Sequence, residues 1–122
     1  MQASTATRPL STRAGRFTIQ LTQPGPNAYR VEVLAAGPVA RPVDDLTRSY
    51  EFYGLAYAIY RTLGNALAAP GATVKTARRA VVAHIDAEIR MLTPSAIGVL
   101  KAEVLQNVRA GFASDERVAV TA

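Results

Sequence analysis

The sequence predicts an α+β fold: an N-terminal antiparallel β-hairpin, extended to a three-stranded meander, followed by three α-helices, the last two forming a helical hairpin. Three observations predict it. Apolar side chains alternate strictly over residues 16–22 and again over 29–34, the period of a half-buried strand. From Leu55 to Phe112 apolar positions recur instead at three- and four-residue steps, the period of an amphipathic helix. Breakers fall between these segments: QPGPNA at 23–28, Ala69-Pro70-Gly71, and Thr93-Pro94. A chain of 122 residues, 49% hydrophobic and 19% charged, suffices for one core. The single domain is expected at 16–112, between an unstructured basic arm at 1–15 and a C-terminal tail at 113–122.

The arm is polar, with Leu10 as its only large apolar residue between Met1 and Phe17. In the first strand Phe17, Ile19 and Leu21 share the inward face, and Arg16, Thr18, Gln20 and Thr22 point outward. In the second, Tyr29, Val31 and Val33 face inward, and Arg30, Glu32 and Leu34 outward. Cross-strand partners must share a face, so the predicted pairs are Leu21 with Tyr29, Ile19 with Val31 and Phe17 with Val33. GPVARPV at 37–43 reads as a proline-restrained connector.

Residues 44–53 admit two readings. Asp44 caps a long helix from Asp45, or residues 48–52 make a third strand with Tyr50 and Phe52 inward. The strand is preferred: Tyr-Glu-Phe-Tyr suits β structure, and Gly54 inside a helix costs about 1 kcal/mol against Ala. A third strand also supports an otherwise marginal hairpin. The first helix then starts near Tyr53, with Leu55, Ala56, Ile59, Leu63, Ala66 and Leu67 on its core face. The second spans 72–92, with Val74, Ala77, Val81, Ile85, Ile89 and Leu92 on one side. Thr93 is expected to cap the third, with Pro94 in its first turn. Ile97, Leu100, Val104, Val108 and Phe112 form its predicted buried stripe.

Composition excludes several chemistries. Without cysteine, and with His84 as the only histidine, there is no disulfide scaffold, thiol nucleophile or multi-histidine metal centre. No phosphate-binding glycine loop or nucleophile elbow occurs. His84 and Glu88, one turn apart, read as a helix-surface pair. The adjacent carboxylates Asp44 and Asp45 read as caps. No metal, no cofactor and no enzymatic role are expected. No apolar run reaches the roughly 20 residues of a membrane span, so a cytoplasmic protein of bacterial or phage style is expected.

Two surfaces suggest function. Fourteen basic residues face nine acidic ones, giving a net charge of +5 and a pI near 10.1. All the basic residues except Lys75 and Lys101 are Arg, as GC-rich coding alone produces. Their placement adds to this: Arg8, Arg13 and Arg16 have no acid in the first 16 residues. Lys75, Arg78 and Arg79 crowd a helix N-terminus, against its dipole. These residues are candidate phosphate contacts, with Gln20 and Arg30 as candidate base readers on the outward hairpin face. The first expectation is therefore a small DNA-binding or nucleic-acid-associated accessory protein. The second surface is the stripe Tyr53, Tyr57 and Tyr60, displaced from the core face of the first helix. A helix apolar on two sides needs two burial partners. The alternative expectation is a protein–protein interaction module, an adaptor, inhibitor or assembly subunit, and this stripe is also the expected homodimer contact.

Overall fold

The computed structural model describes residues 9–92 and 95–121. The element order is β1 (Leu10–Ala14), β2 (Phe17–Gly25), β3 (Ala28–Ala35), β4 (Arg41–Pro42), β5 (Arg48–Tyr50), α1 (Tyr53–Ala68), α2 (Val74–Arg90) and α3 (Ala96–Thr121). An antiparallel sheet followed by three helices is the architecture the periodicities predict. The chain divides into two compact units, Met1–Ala77 and Arg78–Ala122.

The first unit is a five-stranded sheet with α1 on one face. The strands run β1-β2-β3, and both β4 and β5 pair with β3. β1 lies within the stretch expected to be an unstructured arm. A two-residue turn at Gly15-Arg16 folds it back onto β2, pairing Ala14 with Phe17, Thr12 with Ile19 and Leu10 with Leu21. Gly15 adopts φ +58° there, a conformation that suits glycine best.

The β2–β3 register differs from expectation by two residues. Leu21 pairs with Val31, Ile19 with Val33 and Phe17 with Ala35. The cause is the turn: β2 continues through Gln23-Pro24-Gly25, and the reversal tightens to Pro26-Asn27. The pairing Gly25↔Ala28 is out of step with Thr22↔Arg30, and an irregularity between Thr22 and Gly25 absorbs the difference. Gln23 Nε2 donates to the Pro26 carbonyl at 3.3 Å across this turn. A shift of two preserves the faces, so Ile19, Leu21, Val31 and Val33 are still fully buried.

The third predicted strand is present as β5, pairing Tyr29 with Tyr50 and Val31 with Arg48. Tyr50 faces the core as expected. Phe52 does not: it stands at the N-cap of α1 and is exposed. Between β4 and β5 the edge of β3 is closed by two hydrogen bonds. Val43 N donates to the Val33 carbonyl at 2.7 Å, and Val33 N donates to Thr47 Oγ1 at 3.0 Å. Asp44 and Asp45 occupy the exposed turn that follows β4. α1 buries Ala56, Ile59, Tyr60, Leu63 and Leu67 against β1, β2, β3 and β5.

At the start of α2, Thr73 and Thr76 form a reciprocal cap: Thr76 N donates to Thr73 Oγ1 at 3.1 Å, and Thr73 N to Thr76 Oγ1 at 2.9 Å. In the second unit α2 and α3 form an antiparallel hairpin, tied by polar contacts at two levels. Arg109 Nε donates to Asp86 Oδ1 at 2.6 Å. Arg78 gives Nε and Nη2 to the Phe112 carbonyl at 3.0 and 2.7 Å. The cap of α3 is Ser95, whose Oγ accepts from Gly98 N at 3.1 Å. Thr93 and Pro94, the expected cap and first turn, lie outside the described residues. The predicted stripe of α3 holds only in part: Phe112 is buried, Val104 and Val108 are half-buried, and Ile97 and Leu100 are exposed. Helix α3 also continues through 113–121, where a tail was expected.

Candidate nucleic-acid interface

α1 covers one face of the sheet, and strand alternation fixes what the other face carries. From the register, its rows are Arg13–Thr18–Leu34, Ser11–Gln20–Glu32 and Thr22–Arg30–Ser49. Ser11, Arg13, Arg30 and Ser49 are exposed, and Thr18, Gln20, Thr22, Glu32 and Leu34 are half-buried. Of the residues the sequence singles out, Arg13, Gln20 and Arg30 therefore share one surface, on three adjacent strands. Gln20 lies midway on the diagonal between the two arginines. Two strand spacings across and four residues along give about 17 Å between the backbone positions of Arg13 and Arg30. Arg16 is exposed in the adjoining β1–β2 turn.

One carboxylate interrupts this surface. Arg30 Nη2 lies 3.8 Å from Glu32 Oε2, and both side chains are partly exposed. Such a pair is weak and screened by salt. It holds the guanidinium near the face without locking it.

The other predicted cations divide. Arg8 lies outside the described residues. Lys75 and Arg79 are exposed on α2. Arg78 is corrected from a surface contact to an internal one. It is only 9% exposed, and its guanidinium is turned to the Phe112 carbonyl, where it ties α2 to α3. Its neighbours in sequence gave no sign of this, because the acceptor lies 34 residues away.

The tyrosine stripe is largely consumed within the first unit. Tyr60 is buried and Tyr57 half-buried. The rings form a ladder: Tyr29 meets Tyr53 edge-on at 5.6 Å, Tyr53 stacks on Tyr57 at 5.9 Å, and Tyr57 tilts against Tyr60 at 6.1 Å. Arg61 donates to the Tyr57 hydroxyl at 3.3 Å and lies 6.0 Å from its ring centroid. The Tyr53 end of the ladder, beside the exposed Phe52, reaches the surface. Sequence reasoning missed Phe52 because alternation within an assumed strand pointed it inward. It also missed Ser11 and Ser49, which join the open face through β1 and β5.

His84 Nε2 and Glu88 Oε1 are 3.6 Å apart, with both side chains partly exposed. Among the described residues no group of three or more His, Asp or Glu side chains is arranged to hold a metal ion. No described helix is long and apolar enough to cross a membrane. No protein-family model, curated protein or solved structure matches this chain.

Proposed function

We propose that the chain is a small, non-enzymatic, cytoplasmic nucleic-acid-binding protein that meets duplex DNA with the open face of its sheet. The observation that carries this reading is the diagonal Arg13–Gln20–Arg30 on the side of the sheet away from α1. A major groove is about 12 Å wide and bordered by phosphates on both walls. Two arginines about 17 Å apart suit those two walls. Gln20, between them, is placed toward the base edges, where glutamine bonds adenine in bidentate fashion. Thr18 and Thr22 flank it with further hydroxyls, and Arg16 adds a phosphate contact at the rim. Antiparallel strands are an established reading element of this kind. The proposal rests on the sheet face alone and takes the acting species to be a homodimer, which doubles the phosphate contacts.

Gel retardation of a random-sequence duplex at low ionic strength tests it. The protein is expected to retard the duplex, and Arg13→Ala with Arg30→Ala to retard it only at markedly higher protein concentration. Equal retardation by the double variant would remove the sheet face from the account.

The exposed Phe52 and Tyr53 favour a second reading, a protein-interaction module. Phe52→Ser with Tyr53→Ser separates the two: loss of a protein partner with DNA retardation intact supports the module. The substitution avoids Tyr60, whose loss would cost core packing.

A further inference from the structure

One edge of the sheet is open. β1 pairs with β2 alone, and among the described residues no strand lies beyond it. Backbone hydrogen bonds show what that edge offers. Ala36 N donates to the Arg16 carbonyl at 2.8 Å, so by alternation Thr18, Gln20 and Thr22 also turn their backbone groups toward β3. Phe17, Ile19 and Leu21 then bond to their partners on β1, which are Ala14, Thr12 and Leu10. Between those positions, Ser11 and Arg13 direct their N–H and C=O groups away from the sheet. Ser11, Thr12 and Arg13 are all exposed. The pairing is regular from Leu10↔Leu21 to Ala14↔Phe17, and no bulge or proline within the strand blunts the edge.

We propose that this edge receives an extended acidic peptide segment as an added strand. Charge selects the occupant. β1 packs against β2 and α1. β2 has no charged residue, and β1 and α1 have one each, Arg13 and Arg61. Arg16 stands exposed in the β1–β2 turn, and no acidic residue occurs before Glu32. These elements therefore present cations and no carboxylate. A second copy suits the edge less well. Antiparallel self-pairing centred on Thr12 or Arg13 uses the outward groups but brings the two copies of Arg13 onto a diagonal or directly opposite each other. Centring on Ser11 separates them but sets Arg13 against Pro9, which has no N–H to give. In a foreign strand, alternate side chains lie beside Ser11 and Arg13 on the open face. Carboxylates at those positions meet Arg13 and, toward the turn, Arg16. The residues between them lie beside Leu10 and Thr12. Main-chain bonds to Ser11 and Arg13 hold the segment, and its charge selects it. The inference goes beyond the nucleic-acid reading and does not rest on it.

The test titrates a blocked heptapeptide, Thr-Glu-Val-Glu-Val-Glu-Thr, into the full chain at low ionic strength, followed by amide NMR. Resonances of Leu10–Ala14 are expected to shift. Hydrogen exchange at the Ser11 and Arg13 amides should slow at least about tenfold at saturating peptide. The same peptide with Lys in place of Glu should change neither. Arg13→Glu should weaken the acidic peptide at least about tenfold and admit the lysine peptide. Ser11→Pro keeps every charge and every β1–β2 hydrogen bond but removes one outward N–H; it should weaken binding by a similar factor. Three results would each overturn the proposal: exchange at Ser11 and Arg13 unchanged by saturating peptide, equal binding by the Ser11→Pro variant, or shifts confined to Gln20 and Arg30, which would mark ion pairing without strand addition. Protection of Ser11 and Arg13 that grows with protein concentration in the absence of peptide would assign the edge to a second copy and overturn it as well. No arm of the test contains DNA, so failure here leaves the sheet-face reading in place.

Discussion

Two buried polar side chains set the energetics at the scale of single residues. Tyr50 is buried in the first unit, and its hydroxyl has no hydrogen-bond partner among the described residues. Burial pushes its ionisation well above the ordinary range, outweighing the opposing charge of Arg48. The unfolded chain releases that proton near pH 10. Stability from a neutral Tyr50 is therefore complete below about pH 10 and declines as the pH rises above it. Tyr50→Phe should unfold at the same denaturant midpoint at neutral pH or gain up to about 1 kcal/mol, since an unpartnered hydroxyl disappears. It should also flatten the alkaline loss. A drop of similar size at neutral pH would mean the hydroxyl is satisfied. Arg78 is the opposite case. Its two hydrogen bonds to the Phe112 carbonyl predict that Arg78→Ala lowers stability by about 2–3 kcal/mol, read by thermal unfolding. DNA affinity should be unchanged where the variant is folded. That Arg78 would be charged was legible in the sequence. That it turns inward was not, because its partner is a backbone atom brought near only by the hairpin.

At the scale of elements, the two periodicities were enough to place β2, β3 and all three helices. They failed where the signal was short or ambiguous. β1 has only Leu10 and Ala14 as apolar inward residues and reads as arm. Its informative residue is Gly15, which lets the turn reverse in two residues. A Cβ there would lie 3.0 Å from the Leu67 carbonyl as well as at positive φ. Gly15→Ala should therefore cost about 2 kcal/mol. Gly64 is the control: a Cβ would meet only Thr12 Cγ2 at 3.5 Å. In mid-helix, Gly64→Ala should gain about 0.5–1 kcal/mol, measured by denaturant unfolding. If both substitutions destabilise alike, the strain assigned to the Gly15 turn is wrong. The register slip of β2 against β3 follows from chemistry that alternation does not encode, a strand continuing through Pro24 into a two-residue turn. The misassigned stripe of α3 arose similarly. Its spacing was helical, but helical spacing alone does not say which side of the helix the fold covers: Gly98 and Phe112 are buried, and Ile97 and Leu100 are exposed.

For the whole molecule, the total charge was legible from composition and its grouping was not. Arg13, Gln20 and Arg30 are scattered in sequence, and only the sheet register brings them to one face. The same register places Glu32 beside Arg30, which leads to a prediction of the opposite sign: Glu32→Gln should tighten DNA binding, because the carboxylate opposes phosphate. Weaker binding by this variant would argue that Glu32 holds Arg30 in its productive position. The central claim is that two arginines on the open sheet face each neutralise a phosphate. The most direct test is the salt dependence of duplex affinity, measured by fluorescence anisotropy for the wild type and for Arg13→Ala with Arg30→Ala. Each lost phosphate contact lowers the slope of log K against log salt by about 0.9. The account predicts that the double variant's slope is shallower by about 2 for each chain bound; an unchanged slope, or a wild type whose affinity ignores salt, would contradict it.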